Sequence, residues 1–384
     1  MRGQAAVEEI CSTAGISIDQ HRPWDLRVHN ADFYDRVLAD GSLGLGEAYM
    51  LGWWDADDLF GFFERLLSAG RTSDRKNIGW RTTFAFLKAR LVNVQTKSQA
   101  RTLADVHYNL SNELFERMLG PSMAYSCGYW TGASDLDDAQ FAKYDMICRK
   151  LQLRPGERLL DIGCGWGGFA RYAARNYDVE VVGLTISSEQ AAYARTLCAG
   201  LPIEINCCDY REFDQRYHGG GFDKVASIGM IEHVGYRNYG KMFEAVCGAL
   251  RPRGLFLLHN IGSAVSTEVG DPWLNTYIFP GGVLPSMKQL SEAAEKLFVL
   301  QDVQNIGVHY TPTLRAWHEN FEAYWESDDR AEDRPQVWGS YEVFYRMWRY
   351  YLLCCAAEFR TGGSQVWQSV YAKGHLDDGY LRAH

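Results

Sequence analysis

The stretch "DIGCGWGG", Asp161 to Gly168, narrows the fold more than any other part of the chain. Its glycines sit where an apolar run gives way to a helix-length amphipathic segment, so the backbone can pass close to a ligand at a helix N-terminus. Two cofactor patterns fit the same letters. Gly163, Gly165 and Gly168 satisfy G-x-G-x-x-G, the dinucleotide fingerprint; Asp161, Gly163, Gly165 and Gly167 satisfy D-x-G-x-G-x-G, the pattern of methyltransferases that use a sulfonium cofactor.

The surrounding runs indicate the sheet. "ERLLDIG" (157–163), "VEVVGLT" (179–185), "IEINCCD" (203–209), "FDKVASIGM" (222–230) and "GLFLLHNIG" (254–262) are short, apolar and β-branched, with amphipathic helix-length segments between most of them. That alternation predicts an α/β protein, a parallel sheet with helices on both faces. Ser187 with Gln190 three residues on predicts a capping box at the second helix.

A 384-residue chain with 47% hydrophobic content can bury a full core and hold more than one domain. Ten cysteines with no C-x-x-C pair suit a reducing compartment, and the expected location is cytoplasmic. No run approaches the roughly 20 apolar residues of a spanning helix, so any membrane contact is expected to be peripheral. A formal charge of −9 argues against nucleic acid as a partner of the whole chain.

Residues 1–75 read as a small helical domain, with helical stretches around "DFYDRVLADG" and "DDLFGFFERLLSAG" broken by a turn region, "GSLGLGEAYMLGWW". Residues 76–105 form a basic linker within a stretch carrying Arg71, Arg75, Lys76, Arg81, Lys88, Arg90, Lys97 and Arg101 against Asp74 alone. It is either a solvated helix or a surface that meets anionic headgroups. Residues 106–384 form the catalytic domain, with an aromatic, Pro/Gly-rich insertion at 263–290 that is either a lid or a surface loop. Helical segments are expected near 288–298, 313–326 and 338–360.

The second half of the loop pattern separates the cofactors. A dinucleotide site places an acid at the end of the second strand for the ribose hydroxyls, but that strand ends "VVGLTIS" with Thr185 and no carboxylate. Asp161, two residues ahead of Gly163, suits a cationic group such as the ammonium of S-adenosylmethionine, which these residues favour.

Over nearly its whole length the chain resembles the cyclopropane-fatty-acyl-phospholipid synthases, related to the mycolic-acid methyltransferases. The likeness is carried by "GSLGLGEAYMLGWW" (41–54), "HYNLSNELFERML" (107–119), "AYSCGYW" (124–130), "LDIGCGWGG" (160–168), "GLTISSEQ" (183–190), "GMIEHVG" (229–235), "HNIGS" (259–263), "DPWLNTYIFPGG" (271–282) and "YYLLCCAAEFR" (350–360). It implies a Rossmann-like class I S-adenosylmethionine-dependent methyltransferase sheet with a small N-terminal helical domain that binds lipid, orders a dimer, or both. The implied reaction adds a methylene from S-adenosylmethionine across a cis double bond of a phospholipid acyl chain.

The resemblance further implies a bicarbonate ion as base, held by Cys127, Glu232, His259, Tyr310 and the main chain of Ile261. For the cofactor it implies Tyr125 and Ser126 near the methionine end, with Asp161, Gly163, Gly165 and Gly167 at the loop. Thr185 and Gln190 would lie near the ribose, Asp209 and Tyr210 by the adenine. Cys355 matches a cysteine regarded as a possible active-site thiol, although direct methyl transfer needs no thiol carrier and a cysteine in an apolar helix commonly serves packing. The implied partners are a phospholipid bilayer, met peripherally at the inner membrane face, and a second copy in a homodimer. Rival readings are a methyltransferase making methyl-branched acyl chains or acting on a small amine, a lipid-binding scaffold, and a nicotinamide oxidoreductase.

Overall fold

The computed structural model describes residues 2–19, 22–72, 112–212, 221–327 and 335–382. The basic linker expected at 76–105 and the start of the "HYNLSN" motif lie outside them. In chain order the helices are α1 (Arg2–Thr13), α2 (Asp32–Asp40), α3 (Ser42–Met50), α4 (Leu59–Thr72), α5 (Asn112–Leu119), α6 (Leu136–Lys150), α7 (Gly168–Tyr177), α8 (Ser188–Leu197), α9 (Tyr239–Ala249), α10 (Pro272–Tyr277), α11 (Met287–Ala294), α12 (Tyr310–Glu326) and α13 (Tyr341–Arg360). The chain divides into two compact units, one of Met1–Leu114, Val269–Gly281 and Leu314–Gly363, the other of Phe115–Glu268, Gly282–Thr313 and Ser364–His384.

The second unit is built on a seven-stranded sheet: β1 (Arg158–Ile162), β2 (Glu180–Thr185), β3 (Ile203–Cys207), β4 (Phe222–Ile228), β5 (Leu250–Ser263), β6 (Val299–Asn305) and β7 (Ser364–Ala372). Their spatial order is β3-β2-β1-β4-β5-β7-β6. The first five strands run parallel, with Asp161 opposite Ala226 and Ile228 opposite His259. Alternate side chains feed two cores. Leu159, Val181, Leu255 and Leu257 pack with Tyr144, Ile147, Phe169 and Ala173 of α6 and α7. Leu160, Val182, Phe256 and Leu258 pack with Met242, Phe243, Val246 and Leu290 of α9 and α11.

Two strands depart from the parallel expectation. β7 runs antiparallel between β5 and β6, pairing His259 with Gln368, and β6 pairs antiparallel with β7 at the edge. Their sequences, "VLQDVQN" and "SQVWQSVYA", mix polar with apolar residues because β6 is largely exposed and β7 carries buried polar side chains. Neither reads as the continuous apolar run of a buried parallel strand. β4 also ends two residues earlier than its sequence suggests, where Gly229 turns at φ 67.

In the first unit, α1 to α4 gather with α13 and α10. The expected turn region "GSLGLGEAY" is instead helical, as α3. Its glycines serve close approach rather than chain reversal: a Cβ on Gly46 would meet Trp273 Cδ1 at 2.3 Å. Trp273 sits on α10, inside the insertion, and packs tilted against Tyr350 at 4.4 Å between ring centres while Tyr277 donates to Glu47 Oε1 at 2.7 Å. Residues 269–281 thus belong to the helical unit's own core.

Candidate active site

β1 delivers the glycine turn. Gly163, Gly165 and Gly167 take φ of 84°, 53° and 85°, a left-handed run that a side chain would strain, and Gly167 caps α7. Gly168 is needed for another reason: a Cβ there would lie 2.1 Å from the carbonyl oxygen of Ser122, which is backbone and has little room to move. Gly168→Ala is expected to displace the 122–127 segment, lowering stability by about 1–3 kcal/mol and weakening cofactor binding about tenfold or more. Thermal denaturation and calorimetry check both; unchanged values would mean that the segment yields freely.

The expected cofactor residues gather around this turn. Asp161 is buried in β1, and its Oδ2 has no hydrogen-bond partner among the described residues. Burial raises its carboxyl to about 7, and the Lys143 ammonium pulls in the other direction. An orphaned buried carboxylate oxygen beside three left-handed glycines fits the ammonium of an amino-acid-bearing cofactor. Tyr125 lies 5.5 Å from Phe115, itself 4.9 Å from Trp166 of the turn, an aromatic row along the loop. Ser126 Oγ accepts from Lys143 Nζ at 2.8 Å.

At the end of β2, Thr185 donates to Gln190 Oε1 at 2.8 Å, and Ser187 Oγ accepts from Gln190 N–H at 3.2 Å. Only half of the expected capping box forms, because the Gln190 side chain pairs with Thr185 instead; a full box caps α11, through Ser286 and Gln289. Beyond β3, Asp209 is held by Arg211 at 2.8 and 2.5 Å, which lowers its carboxyl below the usual range. Tyr210 next to it is half-buried against the sheet core.

A second polar group sits at the carboxyl edge of β4 and β5, where open α/β sheets bind ligands. Gly229 N–H donates to the His259 carbonyl at 2.8 Å, bringing the turn after β4 onto β5. The short helix that follows carries Glu232, whose Oε1 accepts from Ile261 N–H at 2.6 Å and whose Oε2 is buried without a partner among the described residues. Burial raises this carboxyl to about 7, against the pull of main-chain hydrogen bonds. His259 is buried, and burial together with Lys143 and Lys150 pushes its imidazole well below the usual value, so it is neutral. Its Nδ1 meets Gln368 Nε2 at 3.2 Å. With the amide donating, Nδ1 accepts and the neutral ring carries its proton on Nε2, the nitrogen that can donate to an anion.

Cys127 and Tyr310 are joined by a separate stitch. Thr313, on the first turn of α12 with Tyr310, accepts from Gly128 N–H at 3.1 Å and Trp130 Nε1 at 2.8 Å, while Trp130 N–H donates to His309 Nδ1 at 3.1 Å. Cys127 Sγ contacts the carbonyls of Gly128 at 3.3 Å and Ile306 at 3.8 Å, and burial raises its thiol far above the ordinary value, making it a neutral donor and not a nucleophile. Cys355 lies on α13 in the other unit, and burial likewise raises its thiol. Of the Ile261 main chain, which the resemblance implies for the anion, the N–H donates to Glu232 and the carbonyl accepts from Asn260 Nδ2 at 2.8 Å. Gln140, Lys143 and Gln368, each fully buried, belong to no motif of the sequence, although the i, i+3 spacing of Gln140 and Lys143 on an otherwise apolar helix face is a usable signal.

Such a sheet, with a glycine turn and buried aspartate on its first strand and a carboxylate after its fourth, defines a Rossmann-like class I S-adenosylmethionine-dependent methyltransferase. Residues 95–369 match the family model described as mycolic acid cyclopropane synthetase. The chain is 48% identical over 367 residues to the cyclopropane-fatty-acyl-phospholipid synthase of Escherichia coli K12, a match spanning 95% of this chain and 92% of that protein. Among solved structures it is similar to the cyclopropane synthase MmaA2 from Mycobacterium tuberculosis, with a TM-score of 0.62 and 31% identity over 73% of this chain and 100% of that one. It is similar also to mycolic acid cyclopropane synthase CmaA1 complexed with SAH and CTAB, with a TM-score of 0.61 and 31% identity over 73% of this chain and 99% of that one. The chain belongs to the mycolic acid cyclopropane synthetase family, and is an S-adenosylmethionine-dependent methyltransferase of the cyclopropane-fatty-acyl-phospholipid synthase type.

Proposed function

We propose that this enzyme adds a methylene to the cis double bond of phospholipid acyl chains and uses a bound bicarbonate as base. The observation that carries the proposal is Glu232: one oxygen fixed by Ile261 N–H at 2.6 Å, the other buried and unpaired, in a carboxyl raised to about 7. When bound, S-adenosylmethionine supplies the electrophilic methyl and bicarbonate the proton acceptor; methyl addition leaves a carbocation on the acyl chain, and loss of a proton from the new methyl closes the ring.

Asp161 would hold the cofactor's ammonium, with Tyr125 and Ser126 along its methionine end, Gly163, Gly165 and Gly167 giving close backbone approach, Thr185 and Gln190 by the ribose, and Asp209 and Tyr210 by the adenine. Glu232 Oε2 is the free acceptor that an anion carrying its own hydroxyl can donate to, and a carboxyl near 7 can take up the proton in turn. Ile261 N–H is given to Glu232 and the Cys127 thiol to main-chain carbonyls, so His259 and Tyr310 would be the donors to the ion. Neutral His259 would add a donor without placing a second positive charge beside the carbocation.

An acyl chain must reach the site from a bilayer, and no helix among the described residues is long and apolar enough to cross one. Peripheral attachment at the cytoplasmic membrane face through the basic stretch 71–101 supplies that access, and a homodimer would double the attachment by effective concentration. Replacing Arg81, Lys88 and Arg90 by Glu reverses three charges and is expected to weaken binding to anionic vesicles about a hundredfold or more, at about 1 kcal/mol per residue, with cofactor affinity unchanged; vesicle sedimentation reads the first, and unchanged sedimentation would remove this surface. The reaction itself is tested by incubating the protein with methyl-labelled S-adenosylmethionine, bicarbonate and vesicles of cis-monounsaturated phospholipid. Label in released acyl esters is expected; label only in an added small amine would contradict the proposal.

A further inference from the structure

One fully buried charge has no part in the chemistry above. Lys143, on α6, donates its Nζ to Ser126 Oγ at 2.8 Å and Gln140 Oε1 at 2.7 Å, and stands 4.5 Å from the centre of the Tyr144 ring. Gln140 Nε2 donates to the Ser126 carbonyl at 2.9 Å, and Tyr144 Oη donates to the Ser122 carbonyl at 3.3 Å. Positions 140, 143 and 144 share one helix face, and together they grip both the main chain and a side chain of the 122–126 segment. Packing alone gives no reason for an ammonium here, because taking one out of water costs several kcal/mol and an apolar residue of similar volume fills the space as well.

Its neighbours supply the reason. Lys143 is the one cation acting on Asp161 among the described residues. The other titratable groups around Asp161 are Tyr144 and Cys148 of α6, Cys164 of the glycine turn and Cys198 after α8, all kept neutral by burial. Lys143 also faces Cys127 and His259, the one a neutral thiol and the other a neutral imidazole.

We propose that Lys143 is a positioning residue for the cofactor: it anchors the Tyr125–Cys127 segment to α6 through Ser126 and Gln140, and places a positive charge that offsets the burial of Asp161, the residue that would receive the ammonium of S-adenosylmethionine. This rests on Asp161 being the partner of that ammonium. Burial lowers Lys143 to about 7, so its charge is complete on the acid side, where it limits the rise of the Asp161 carboxyl to about 7.

The test is calorimetric titration of S-adenosylmethionine into the full chain across about pH 5.5 to 8. The parent should lose affinity about tenfold per pH unit below its midpoint. Lys143→Gln keeps a donor for Ser126 but loses the charge, so its midpoint should move up by about one pH unit or more, with affinity at the parental midpoint about fivefold weaker or more; should it not fold, Lys143→Met makes the same neutral replacement and is read the same way. Lys143→Arg, which keeps the charge, should retain the parental midpoint. A lower melting temperature with the midpoint unmoved in the neutral variant would make Lys143 purely structural and overturn the proposal. A parent whose affinity is flat across this range would instead remove Asp161 as the ammonium's partner.

Discussion

Glu232→Gln is expected to lower turnover about a thousandfold, the scale of losing a positioned proton acceptor, while S-adenosylmethionine binds within about twofold of the parent. The replacement keeps an oxygen for Ile261 N–H, so the turn after β4 stays in place, but it puts an amide donor where the buried, unpaired Oε2 stands. An anion whose hydroxyl needs an acceptor then meets a second donor, and no carboxylate remains to take up the proton. Stability should move the other way. The folded carboxyl is raised from 4.5 to about 7, so the native state binds its proton more tightly than the unfolded chain does. The stability this contributes is present below about pH 4.5 and is lost as pH rises through 7, leaving a cost of about 3 kcal/mol for the buried carboxylate in mildly alkaline solution. Glu232→Gln should therefore melt a few degrees higher than the parent near pH 8. Single-turnover kinetics and thermal scans check both halves; full activity in the variant would take Glu232 out of the chemistry.

Asp161→Asn should weaken S-adenosylmethionine binding by about 10- to 100-fold at pH 7.5, the loss of one charge-assisted hydrogen bond of about 1.5–3 kcal/mol. It should also abolish the pH dependence of binding. Because burial holds the parent carboxyl near 7, the cofactor must displace a proton at lower pH, and affinity should strengthen as pH rises towards that value. Asparagine has no proton to release, so the variant should bind equally weakly at about pH 6 and 7. Calorimetry in buffers of different ionisation enthalpy reads the released proton directly, and a parent that releases none would contradict the role given to Asp161.

Where the sequence carried a local physical demand, it was legible. The turn at 163–168 could be read because three left-handed residues and one backbone contact leave only glycine at four places. The parallel core could be read because strands covered on both faces must be apolar throughout. β6 and β7 are not legible for the converse reason: an exposed edge and a strand with buried Gln368 and Ser369 give no such run. α3 looks like a turn in sequence because nothing local distinguishes a glycine that reverses the chain from one that receives a tryptophan ring more than two hundred residues away. The polar pairing of Glu232 with Ile261 and of His259 with Gln368 is set by how the chain folds after β4 and by the β5–β7 register, which no single segment records.

The most direct test of the proposed reaction supplies S-adenosylmethionine with a trideuterated methyl group, together with bicarbonate and cis-monounsaturated phospholipid vesicles, and weighs the released acyl esters before and after catalytic hydrogenation. Ring closure by proton removal from the new methyl predicts a product that retains two of the three deuteriums, has lost its double bond and keeps its mass through mild hydrogenation. A product that retains all three deuteriums, or one that takes up hydrogen as an alkene, would show that the carbocation is resolved elsewhere and that Glu232 does not direct a ring-closing base.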